Sequence, residues 1–115
     1  MNANVSAVIK PLIARRIFAS EEEAVRVLLR EYMLRQIADL QQRIEQLSHK
    51  YNMDFHQFSD YLHAHSALLT SGTLSQEQRQ ALGKSVMAEE DDWFDWKAAQ
   101  EMLENWLGMR QEVTT

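Results

Sequence analysis

Residues 20–51, SEEEAVRVLLREYMLRQIADLQQRIEQLSHKY, decide the fold class. Ser20 is a residue type that accepts hydrogen bonds from the orphan amides at a helix start. Glu23, three residues on, is its reciprocal partner in a capping box. Glu21, Glu22 and Glu23 also place negative charge at the positive end of the helix dipole. From there apolar side chains recur at Val25, Leu29, Met33, Ile37, Leu40, Ile44, Leu47 and Tyr51, three or four residues apart. Gln36, Asp39, Gln41, Gln42 and Arg43 cover the other sides. The spacing predicts one helix of up to about 30 residues with a narrow, coiled-coil-like seam. Such a seam needs a second helix. Its own copy is one candidate, which predicts a homodimer through Val25, Leu29, Ile37, Leu40, Ile44 and Leu47.

Downstream, Asn52-Met53-Asp54 ends this helix, and Asp54 with Gln57 repeats the capping-box pattern. Phe55, Phe58, Leu62, His65 and Leu69 then share one helical face. Thr70-Ser71-Gly72-Thr73 reads as a loop, and Ser75 with Gln78 opens another helix. The run Glu89-Glu90-Asp91-Asp92 suits the first turn of a last helix carrying Trp93, Trp96, Leu103 and Leu107. That helix is expected to stop near Gly108, leaving residues 111–115 as a loose tail.

Upstream, residues 2–7 alternate polar and apolar, the period of a half-exposed strand. Val8 to Phe18 reads as a short helix with Pro11 in its first turn. The expected fold is therefore mainly α: a short N-terminal strand and helical head, a long central helix and a helical C-terminal arm. The division falls into 1–50 and 51–115. Only three Gly and one Pro occur, as long helices require, and the absence of Cys excludes disulfides and thiolate metal sites. No apolar run reaches the roughly 20 residues of a membrane span and no signal-peptide core is present, so the expected compartment is the cytoplasm.

Charge is unevenly spread. Residues 1–20 carry Lys10, Arg15 and Arg16 and no acid, whereas 51–115 carry eleven acids against four bases and all three tryptophans. A basic head and an acidic, aromatic tail point to two partners, one polyanionic and one basic. Three large aromatics in Trp93-Phe94-Asp95-Trp96 cannot all face one small core. Glu89, Glu90, Asp91, Asp92, Trp93, Trp96 and Trp106 are therefore the expected surface for a basic partner.

Catalytic and metal readings are thinner. His56, Asp60 and His63 fall on one helical face, but no fourth ligand follows at useful spacing, so no metal and no cofactor is expected. Arg43 and His49 match the loose Arg-x(4–6)-His spacing of small all-helical ribonucleases of the HEPN type, with His for proton transfer and Arg for phosphate charge. A plain helical scaffold dimer is the third reading.

The order strand, short helix, then Phe18-Ala19-Ser20-Glu21-Glu22-Glu23-Ala24-Val25 at a second helix resembles the ribbon-helix-helix DNA-binding module. That resemblance implies an obligate dimer with Asn2, Asn4 and Ser6 facing bases and Ser20 near phosphate, beside Lys10, Arg15 and Arg16. The chain as a whole resembles antitoxins of bacterial type II toxin–antitoxin pairs. Leu29-Arg30-Glu31-Tyr32, the Lys50 to Phe55 turn and Asp91-Asp92-Trp93-Phe94-Asp95-Trp96 carry that likeness. It implies a non-enzymatic protein that binds operator DNA with one end and neutralises a toxin, often an RNase, with the other.

Overall fold

A computed structural model describes residues 3–114, which form four helices: α1 (Ala3–Ala14), α2 (Glu21–Tyr51), α3 (Phe55–Leu69) and α4 (Gln76–Thr114). The chain divides into two compact units, Met1–Ile37 and Ala38–Thr115, and the division falls inside α2.

In the first unit, the expected strand is a helix. Residues 3–7 belong to α1, no strand occurs among the described residues, and Asn2 lies outside them. The helical period explains the difference. Val5, Val8, Ile9, Leu12 and Ile13 recur at three and four residues, and this longer pattern outweighs a six-residue alternation. The ribbon-helix-helix head goes with the strand, because its DNA reading requires a paired ribbon.

α1 ends in a Schellman arrangement. Ile17 N–H reaches Leu12 C=O at 2.9 Å and Arg16 N–H reaches Ile13 C=O at 3.0 Å, with Arg16 in the left-handed region at φ 59°. α2 then opens as its sequence requires. Glu23 N–H donates to Ser20 Oγ at 3.1 Å, while the Glu23 carboxylate accepts from Ala19 N–H at 2.7 Å. Ser6 Oγ donates to Glu21 Oε2 at 3.3 Å and ties α1 to this start. Ile9, Ala24, Met33 and Ile37 are buried.

In the second unit, the end of α2, α3 and α4 surround an aromatic core. Leu47, Phe58 and Trp96 are fully buried at its centre, with Ile44, Tyr51, Met53, Phe55, Tyr61 and Trp93 packed around them. Phe58 stacks on Trp96 with ring centroids 5.6 Å apart, and Tyr51 lies 4.2 Å from Phe58. The α2–α3 turn uses Asn52 at φ 53°, the non-glycine residue type best suited to that region. Asp54 and Gln57 close a full capping box at 2.8 and 3.0 Å, and Ser75 with Gln78 does the same before α4 at 3.2 and 3.0 Å.

α4 differs from the expected pair of helices. It runs unbroken through Glu89–Asp92 and past Gly108. The acidic run thus sits mid-helix, where a dipole argument has no force. No helix among the described residues is long and apolar enough to cross a membrane.

Candidate protein-binding face of α4

The acids of α4 are split between two sides of the helix. Glu89 is 7% exposed and points inward. Its Oε1 accepts from Ser85 Oγ at 3.0 Å and Tyr61 Oη at 3.3 Å, and its Oε2 lies 3.2 Å from His65 Nδ1. Asp92 Oδ2 accepts from Lys50 Nζ at 2.7 Å and from the Tyr51 hydroxyl. Asp95 pairs with Arg43. These three carboxylates clamp α4 to α2 and α3. Glu90 and Asp91 remain exposed on the outside, with no ion pair among the described residues.

The tryptophans also turn inward. Trp96 is 1% exposed, and Trp93 is half-buried with its Nε1 donating to Ser59 Oγ at 2.8 Å. Trp106 is half-buried. The aromatic that faces out is Phe94, 63% exposed. Two residues are about 160° apart around a helix, so Phe94 lies almost opposite Trp96. Met87, seven residues before Phe94 and 69% exposed, falls within about 20° of it. Phe94 also borders a shallow hollow between α3 and α4 lined by Ser59, Leu62, His63, Glu90 and Trp93. The outer face therefore combines Met87 and Phe94 with Glu90, Asp91 and the exposed Glu101.

Burial sets the chemistry of the clamp. Burial first, then the hydrogen bond and charge of Asp92 and the charge of Glu89, push the Tyr51 hydroxyl well above its ordinary range. Tyr61 is raised by burial and by Glu89. For Asp92 burial acts upward, but the bonds from Lys50 and Tyr51 and the charges of Lys50 and Arg43 outweigh it, leaving a lowered value. A raised tyrosine contributes stability that is complete below its unfolded value of about 10 and fades as pH rises past it. A lowered carboxyl contributes stability that is complete above about 4 and fades as acid is added. Melting temperature should therefore fall above about pH 10, and less steeply for Tyr51→Phe. Identical alkaline profiles for the two proteins would show that Tyr51 carries no such linkage.

The other anticipated residues are placed as follows. Leu47 and Ile44 of the α2 seam pack on Phe58 and Trp96 of the same chain, so this stretch already has a cover. Ile37 is buried, and Val25, Leu29 and Leu40 are half-buried. Asn4 and Lys10 are exposed on α1, Ser6 bonds Glu21, Arg15 and Arg16 are exposed in the turn, and Ser20 caps α2. Arg43 is held by Asp95, while His49 lines a separate open hollow at the α2–α3 turn with Glu45, Ser48 and Asn52. Exposed His56 lies 3.6 Å from exposed Asp60, and the described residues hold no cluster of three or more His, Asp or Glu fit for a metal ion.

The roles of Tyr51, Tyr61, Ser59 and Lys50 in holding α4 leave no trace in the sequence, because their partners lie 28 to 42 residues away along the chain. Met87 and Phe94 did carry a signal, their seven-residue spacing opposite Trp96. Compared with family models, with curated proteins and with solved structures, the chain finds no match.

Proposed function

We propose that this chain is a non-catalytic binding protein that holds a basic partner protein against the outer face of α4, as a toxin-neutralising antitoxin does. The observation that carries the reading is the pair Met87 and Phe94, exposed on one face and edged by Glu90, Asp91 and Glu101. Exposed apolar side chains of this size lose water on docking and supply affinity, whereas the acids steer a cationic partner and discourage anionic ones. Occlusion of the partner's working surface is the mechanism. Trp93, Trp96, Glu89 and Asp92 contribute indirectly, by holding the face rigid so that little ordering entropy opposes binding. Repression of an operon through an N-terminal ribbon is not part of the proposal, since residues 3–14 are helical.

The test is co-expression with the product of the neighbouring reading frame. Wild-type chain should relieve any growth arrest that product causes and should co-purify with it. Met87→Ala with Phe94→Ala should weaken the complex about 30-fold or more while leaving helicity intact, since a central apolar anchor is worth about 2 kcal/mol. An unchanged complex would remove this face from the account.

A further inference from the structure

The hollow between α3 and α4 has the chemistry of a cation site. Buried Leu62 and half-buried Trp93 are apolar parts of its lining, and Phe94 borders them. Phe94 meets Trp93 in a T-shaped contact, ring centroids 5.1 Å apart, and at 63% exposure keeps ring area open to solvent. Trp93 itself is occupied: Phe55 stacks on it at 5.7 Å, and Lys97 Nζ lies 5.2 Å from its ring centroid. The chain thus already sets one cation against this aromatic pair and leaves the Phe94 ring for another. Ser59 Oγ is spent, accepting from Trp93 Nε1 at 2.8 Å and donating to Phe55 C=O at 2.9 Å. The remaining polar side chains of the lining are Glu90 and His63, both exposed. Glu90 stands one turn before Phe94, where neighbours on a helix face are about 5–6 Å apart between Cβ atoms.

Charge and hydration choose among occupants. Within about two turns and 60° of Phe94, the charged residues of α4 are Glu90, Asp91 and Glu101 against Lys97. On α3, Asp60 lies 3.6 Å from His56, His65 is turned to Glu89, and His63 borders the hollow. Acids outnumber Lys97 here, so an anionic side chain is repelled. An apolar side chain would strip water from the Glu90 carboxylate and return no hydrogen bond, a cost that a cation removes. An ammonium can meet Glu90 but is strongly hydrated. A guanidinium lays its flat face on a ring while its N–H edge donates to a carboxylate. We infer that the hollow takes an arginine side chain of the basic partner, stacked on Phe94 and hydrogen-bonded to Glu90. This rests on the α4 reading, which supplies the partner, and names the residue that partner presents.

Its test uses the full chain and the peptide acetyl-Gly-Gly-Arg-Gly-Gly-amide, with citrulline, lysine or leucine in place of the arginine. Binding is followed by NMR at the indole N–H groups of the three tryptophans. The arginine peptide should shift the Trp93 indole saturably and bind about 10-fold more tightly than the citrulline peptide, which keeps the shape without the charge. Glu90→Gln and Phe94→Leu alter exposed side chains and should keep their circular dichroism. Each should weaken the arginine peptide about 3-fold and leave the leucine peptide unchanged. Equal binding of the arginine and citrulline peptides, tighter binding of the lysine or leucine peptide, or full discrimination retained in Glu90→Gln would each overturn the inference. Titrating the neighbouring reading frame's product into the same chains keeps the two readings apart. A product that binds through Met87 and Phe94 while the peptides do not discriminate removes the arginine and keeps the α4 reading. Peptide discrimination with a product that never binds the wild type keeps the cation site and removes that partner.

Discussion

Trp96→Ala is expected to lower stability by about 3–5 kcal/mol, the range for removing a large aromatic from a packed core. The ring is 1% exposed and contacts both Phe58 and Phe55 at centroid distances of 5.6 Å, so its loss opens a cavity between three helices. Trp96→Phe should cost far less than Trp96→Ala. The buried Nε1–H of Trp96 has no hydrogen-bond acceptor, and an orphaned donor of this kind costs about 1–3 kcal/mol, which phenylalanine recovers against its smaller volume. Phe94→Ala, two residues away on the opposite side, should move stability by about 0.5 kcal/mol at most. Urea denaturation of the three variants orders them. A mild Trp96→Ala beside a severe Phe94→Ala would mean that α4 is rotated by half a turn from the structure.

Leu47→Ala is expected to cost about 2–5 kcal/mol, and the loss should not depend on protein concentration. Leu47 is 1% exposed against Phe58 and Trp96 of its own chain, so its burial does not wait on a partner. Were this stretch of the α2 seam covered by a second copy, dilution would deepen the defect, since dissociation couples to unfolding in a dimer. Thermal melts across a wide concentration range distinguish the two.

The parts of this fold that could be read from sequence are those governed by neighbours in the chain. Ser20 with Glu23, Asp54 with Gln57, and Ser75 with Gln78 each satisfy helix amides within one turn, and all three mark helix starts. The three-four spacing from Val25 to Tyr51 likewise reports the α2 helix directly. Residues 2–7 were too few to separate alternation from the helical period that Val5 shares with Val8, Ile9 and Leu12. Glu89–Asp92 resembled a helix start because charge alone was visible. Their tertiary partners Tyr51, Tyr61, His65 and Lys50 turn Glu89 and Asp92 into interhelical clamps, and that pairing leaves no local trace. Gly108 resembled a stop, yet α4 continues through it. One glycine costs a helix only about 1 kcal/mol.

For the candidate site the same limit applies one level up. That one or two of Trp93, Phe94 and Trp96 must face water followed from their crowding into about one helical turn. Which one did so was set by where α2 and α3 lie. Tryptophan's larger apolar area favours burying both indoles, and Ser59 supplies the acceptor that lets Trp93 turn in.

Calorimetric titration of the neighbouring reading frame's product into wild type, Phe94→Ala and Trp96→Phe tests most directly whether the outer face of α4 holds the partner. Phe94→Ala should bind about 30-fold more weakly or worse, while Trp96→Phe, once shown to be folded, should bind as the wild type does. Retained affinity in Phe94→Ala together with lost affinity in folded Trp96→Phe would contradict it, and would return the binding role to the tryptophans.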